Sequence, residues 1–131
     1  MELAFGYGGG PLQIKTIAKH QEISVKYLEQ LIAMLKSAGI VNSIRGPKGG
    51  YILTRPPNQI KLSDIFIALE GHLIAAECLQ HPDFCQKCAD CVTRQLWYEM
   101  QNAVMSVLDV QTLQDLVDRA KGADKRSNFQ I

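Results

Sequence analysis

Apolar residues recur at helical spacing over most of the chain and form short β-prone runs at one place. Ile14, Ile17 and Ala18 share one face of residues 13–20, which predicts a short helix. After the tight connection Gln21, Glu22, Ile23, the side chain of Ser24 suits an N-cap. Behind it Val25, Leu28, Leu31, Ile32 and Leu35 repeat at helical spacing up to Gly39, which suits the left-handed position after a helix end. The opposite face carries Lys26, Glu29, Gln30, Ala33 and Lys36, a polar surface left free while the stripe packs inward. Residues 40–44 and 51–53 are short β-prone runs joined by Arg45-Gly46-Pro47-Lys48-Gly49-Gly50, which predicts a two-stranded hairpin with a basic tip.

Pro56 and Pro57 break the chain before Leu62, Ile65, Phe66 and Leu69, which mark a helix over 61–70 ended by Gly71. From residue 92 to about 120 the chain is helical again, with Leu96, Trp97, Met100, Val104, Val107 and Leu108 as one apolar stripe. An interruption at 109–112 precedes a short last helix through Leu113, Leu116 and Val117. At the other end, a short apolar fragment (3–5) and a glycine-rich turn (6–11) lead us to expect the end of a helix whose beginning lies outside this sequence.

Helix, turn, helix and basic hairpin predict a mainly α fold with a small β-hairpin wing, a winged helix-turn-helix over residues 1–71 with its first helix truncated. A cysteine-rich loop follows at 72–91, dimerisation helices at 92–120 and a flexible tail at 121–131. The long apolar stripe exceeds what so small a domain covers alone and predicts a homodimer.

The chain has 131 residues, enough for one compact domain, and its 47% apolar and 21% charged residues exclude disorder. No apolar run approaches the roughly 18 residues of a membrane span, and the opening lacks a signal peptide, so we expect a cytoplasmic protein without membrane attachment. The net charge of +1 conceals an asymmetry. Residues 12–61 hold eight Lys/Arg against Glu22 and Glu29, whereas residues 72–131 hold six basic against eight acidic side chains. A basic first half suits a phosphate-facing surface for nucleic acid, and in a winged helix-turn-helix the helix after Ser24 would lie in the major groove of double-stranded DNA, with Arg45 and Lys48 reaching the backbone or minor groove. There is no paired-carboxylate or Ser-His-Asp pattern, hence no candidate catalytic residue and no expectation of an enzyme.

All four cysteines, Cys78, Cys85, Cys88 and Cys91, fall in one polar stretch with gaps of six, two and two residues. Four thiolates this close suit one metal centre. Structural zinc usually takes two separated knuckles, so a single loop favours an iron–sulfur cluster over zinc. A thiol switch through the two C-x-x-C pairs remains the third reading. His72 and His81 flank the stretch as possible nitrogen ligands.

These residues resemble the bacterial winged helix-turn-helix transcription regulators of the IscR, NsrR and CymR type. The resemblance covers residues 10–120 and rests on Ile23-Ser24 with Tyr27-Leu28-Glu29-Gln30-Leu31, the wing through Tyr51, Leu69-Glu70-Gly71, and Cys91 with Leu96-Trp97. It implies a dimeric repressor-type regulator that senses redox, nitric oxide or iron–sulfur status. Its DNA contacts would come from Lys26 and Glu29, with Arg45 in the minor groove; Ser24, Tyr27, Gln30 and Lys48 complete the candidate set. It also implies a 2Fe–2S or 4Fe–4S cluster held by Cys78, Cys85 and Cys91. Cys88 has no counterpart and stands as fourth ligand or spare, and Arg94 occupies the position of a ligand histidine in IscR-like members. The alternative is a cluster-free or zinc-bound regulator acting by thiol chemistry, as the cysteine spacing also allows, or by binding a metabolic partner enzyme, as CymR-type members imply.

Overall fold

Ser24 starts the central helix as its side chain predicts: its Oγ accepts the Tyr27 N–H at 3.1 Å, satisfying one of the donors a helix N-terminus leaves free. The helix ends where Gly39 takes φ 73°. There the Gly39 N–H donates to Lys36 O (2.9 Å) and the Ile40 N–H to Leu35 O (3.0 Å), a Schellman closure that turns the chain into the hairpin. The computed structural model describes residues 1–72, 81, 83 and 90–128. Its elements are α1 (Glu2–Phe5), α2 (Ile14–His20), α3 (Val25–Ser37), β1 (Val41–Ile44), β2 (Gly50–Leu53), a 3-10 turn (Pro57–Gln59), α4 (Leu62–Glu70), α5 (Val92–Asp109) and α6 (Leu113–Asn128). This is a mainly helical winged helix-turn-helix.

β1 and β2 pair antiparallel with Val41 opposite Leu53 and Ile44 opposite Gly50. Leu12 adds a one-residue third strand by exchanging backbone hydrogen bonds with Tyr51, at 3.0 and 2.8 Å. The sequence shows only a turn before Leu12, because a single paired residue leaves no alternating pattern. The core gathers Ile17 and Ala18 of α2, Leu28 and Ile32 of α3, Ile40, Val41 and Leu53 of the hairpin, and Ile60, with Ala4 closing one side. α1 is tied to α2 by Glu2, which accepts from Gln21 Nε2 at 2.7 Å and lies 3.6 Å from His20.

The stretch after residue 91 differs from its sequence reading in three ways. First, α6 continues to Asn128, past the expected end near 120 and through part of the expected flexible tail. Its start is secured by a capping box in which Thr112 N–H donates to Asp115 Oδ2 (2.8 Å) and Asp115 N–H to Thr112 Oγ1 (3.3 Å). Second, Leu113 and Val117 belong to the core of the winged-helix unit. The chain returns there through Leu113 N–H to Ile60 O (2.9 Å) and Leu62 N–H to Gln111 O (3.0 Å).

The single apolar stripe expected on α5 is also two. Arg94, Trp97, Gln101, Met105 and Leu108 line a half-buried face, and α5 packs against α4. Leu96, Met100, Val104 and Val107 form an exposed one. Among the described residues no helix is long and apolar enough to cross a membrane.

If α6 is core, Leu113→Ala (5% exposed) will lower unfolding free energy by about 2–5 kcal/mol in urea titration, while Val110→Ala (78% exposed) will change it by less than about 0.5 kcal/mol. Equal, small effects would refute the assignment.

Candidate nucleic-acid interface and cysteine site

The connection between α2 and α3 sets the angle at which α3 is presented. It is closed by Gln21 N–H to Ile17 O (3.0 Å) and Ile23 N–H to Ala18 O (3.1 Å), with Glu22 at φ 53°, a left-handed conformation rare for a residue with a Cβ. With Leu28 and Ile32 buried beneath, Lys26, Tyr27, Glu29, Gln30 and Ala33 remain exposed, as does Ser24 at the start. Val25, expected in the inward stripe, lies partly exposed because it occupies the first helical position, ahead of the packed turns.

The wing stands beside this face. Lys36 of α3 donates to Ser43 Oγ of β1 at 3.0 Å, so the polar side of the helix and the first wing strand adjoin. The tip depends on its glycines. Gly46 sits at φ 119° and its carbonyl accepts the Gly49 N–H at 2.9 Å. Gly49 has no room for a Cβ, because the Ile44 carbonyl already fills that place. Arg45 and Lys48 project from this turn into solvent. Lys26, Arg45 and Lys48 make no hydrogen bond or ion pair among the described residues, so their charges are not neutralised there.

Two of the eight cations counted in the basic half are spent on the protein itself. One is Lys36. The other is Arg55, whose Nε donates to Gln59 O at 3.0 Å and whose guanidinium reaches Gly39 O and Asp64. Charge counting missed this because it registers sign and not reach; the Arg-Pro-Pro sequence, which turns the chain back beside α3, was the available signal.

Of the four cysteines, Cys78, Cys85 and Cys88 lie outside the described residues. Cys91 is the N-cap of α5, half-buried, with Sγ 3.5 Å from Thr93 Oγ1. The Thr93 hydroxyl, followed by the Arg94 backbone N–H, holds its thiol below the ordinary thiol range. A thiol that ionises readily at a helix N-terminus fits the thiolate a metal centre requires. Nearby, Arg94 is half-buried with Nε unpartnered among the described residues, and His72 and His81 are exposed.

Since hydrogen bonding favours the charged form, the Cys91 pKa falls. With Cys78, Cys85 and Cys88 replaced by Ser, alkylation of Cys91 by iodoacetamide will reach half its maximal rate below the usual pH of about 8.5. Thr93→Val will move that midpoint upward. A midpoint at or above the free-thiol value would contradict the geometry.

Comparison with known proteins agrees with this architecture. Over all 131 residues the chain is 39% identical to the HTH-type transcriptional regulator CymR of Bacillus subtilis, matching the whole of this chain and 90% of that protein. It is 32% identical over 124 residues to the HTH-type transcriptional regulator IscR of Photorhabdus laumondii, covering 95% of this chain and 75% of the relative. Among solved structures, B. subtilis CymR, the global cysteine regulator, superposes with TM-score 0.75 at 41% identity over 90% of this chain and 86% of its own. T. potens IscR does so with TM-score 0.76 at 42% identity over 93% and 80%. These relatives are transcriptional regulators and not enzymes. Residues 1–119 match the Rrf2 family, described as an iron-dependent transcriptional regulator, and the chain belongs to that family.

Proposed function

We propose that the protein is a homodimeric, DNA-binding transcription regulator of the cytoplasm whose promoter affinity is set by an iron–sulfur cluster in the cysteine loop. The observation that carries this reading is the placement of α3 and the glycine-shaped wing side by side, with Lys26, Arg45 and Lys48 unneutralised. In this reading α3 enters the major groove. Glu29 accepts from a cytosine amino group and so contributes specificity, while Lys26, Tyr27, Gln30 and the α3 N-terminus at Ser24 add contacts. Arg45 reads minor-groove shape and Lys48 a phosphate.

Cys78, Cys85, Cys88 and Cys91 would hold the cluster, with thiolate chemistry supported by Cys91 and favoured over zinc by the single short loop. When bound, the cluster supplies a centre whose charge and integrity respond to oxidation, nitrosylation or iron supply. The loop joins α4, which packs on α3, to α5, whose exposed face of Leu96, Met100, Val104 and Val107 suits a second copy. Loop geometry thereby bears on the spacing of two α3 helices, which two half-sites must match. A second reading, thiol chemistry without a metal, draws support from the similarity to CymR, including an oxidised form from Staphylococcus aureus at 38% identity and TM-score 0.68.

Anaerobic purification with a visible spectrum and iron, sulfide and zinc analysis separates these readings. Brown protein with matched iron and sulfide is expected. One zinc per chain, or no metal with a reversible disulfide, would overturn the cluster. For the dimer, Val104→Asp will give a monomer by light scattering and weaken promoter binding at least about 100-fold, through loss of the second half-site; an unchanged dimer would contradict the assignment of that face.

A further inference from the structure

The Arg55 side chain sits at a junction of three segments. Its Nε donates to Gln59 O at 3.0 Å, in the 3-10 turn; Nη1 donates to Gly39 O at 3.5 Å, just past the end of α3; Nη2 lies 3.6 Å from Asp64 Oδ2, in the first turn of α4. Thr54, its neighbour, reinforces the same point by donating from Oγ1 to Gly39 O at 2.6 Å and to Ile40 O at 3.2 Å. A guanidinium presents its donors in a rigid planar fork, so joining three segments also fixes their relative placement, which a flexible ammonium cannot do. The electrostatics agree with the geometry. The cation lies at the electron-rich C-terminal end of α3, and Asp64 lies at the N-terminal end of α4, where a carboxylate is favoured.

We propose that Arg55 is a positioning residue for DNA recognition. It sets the tilt of α3 against α4 and does not itself contact phosphate. The inference rests on the reading of α3 as the DNA-facing helix. Its consequence is that Arg55 and Asp64, although opposite in charge, act on affinity in the same direction. A mere surface charge pair would do the reverse, since removing a cation weakens DNA binding and removing an anion strengthens it.

The test is promoter affinity of the full-length wild type, Arg55→Gln, Arg55→Lys and Asp64→Asn across a salt series, with urea unfolding of each to confirm folding. The proposal expects all three variants to weaken specific binding by about two- to fivefold, the range open to an exposed ion pair, with the slope of log affinity against log salt unchanged. Arg55→Lys, which keeps the charge, is expected not to rescue. A slope reduced by roughly one unit in Arg55→Gln, rescue by lysine, or tighter binding by Asp64→Asn would each identify a direct phosphate contact and overturn the proposal. So would wild-type affinity in every variant. If Arg55→Gln fails to fold, Asp64→Asn decides alone, because Asp64 is exposed and its loss leaves the backbone hydrogen bonds of Arg55 in place. Failure of the wild type to bind promoter DNA at all would instead refute the reading of α3.

Discussion

The return of the chain to Ile60 is the constraint on which the rest of the structure depends. Ile60 has no exposed surface, and its own carbonyl accepts the Leu113 N–H while the Leu62 N–H donates to Gln111 O. None of the residues of α5 is buried, and its packing rests on a half-buried face against α4. Its far end leads into α6, whose Leu113 and Val117 lie in the same core as Leu28 and Ile32 of α3. The result is a strut with one end anchored in the winged-helix core and the other beginning at Cys91.

The presentation of α3 and the wing is shaped by backbone chemistry more than by side chains. Gly39 closes α3, Gly49 lets the wing strands close over the Ile44 carbonyl, and Glu22 takes a left-handed conformation to set the entry of α3. These features bring the C-terminal end of α3, at Lys36, beside β1 and leave the polar face of the helix exposed. The net charge of +1 thus conceals exposed, unpaired cations on α3 and the wing tip.

Most of this architecture was legible in the sequence. The N-cap Ser24, the stripe Leu28 to Leu35 and the turn glycines are local signals, and each element they predict forms where expected. The features that were not legible are non-local or share a pattern with something else. Leu12 pairs with Tyr51 across the fold and has no periodicity to announce it. The inner and outer faces of α5 merged into one apolar stripe, because Trp97 sits next to Leu96 and Leu108 next to Val107 in sequence while facing different surroundings. The capping box of Thr112 and Asp115 was a readable signal for α6 that the apolar count overlooked. At the candidate site the exposed face of α3 and the wing tip were anticipated, whereas the use of Arg55 as an internal tie depends on distances no composition supplies.

The claim that joins these parts is that the state of the cysteine loop is communicated to the DNA-facing end. The most direct test is the affinity of cluster-loaded and metal-stripped protein for one promoter fragment at one salt concentration. Affinities that differ by about tenfold or more are expected, within the range of a coupling free energy between two sites. Equal affinities would show that loop and reading helix are independent, and would contradict that claim.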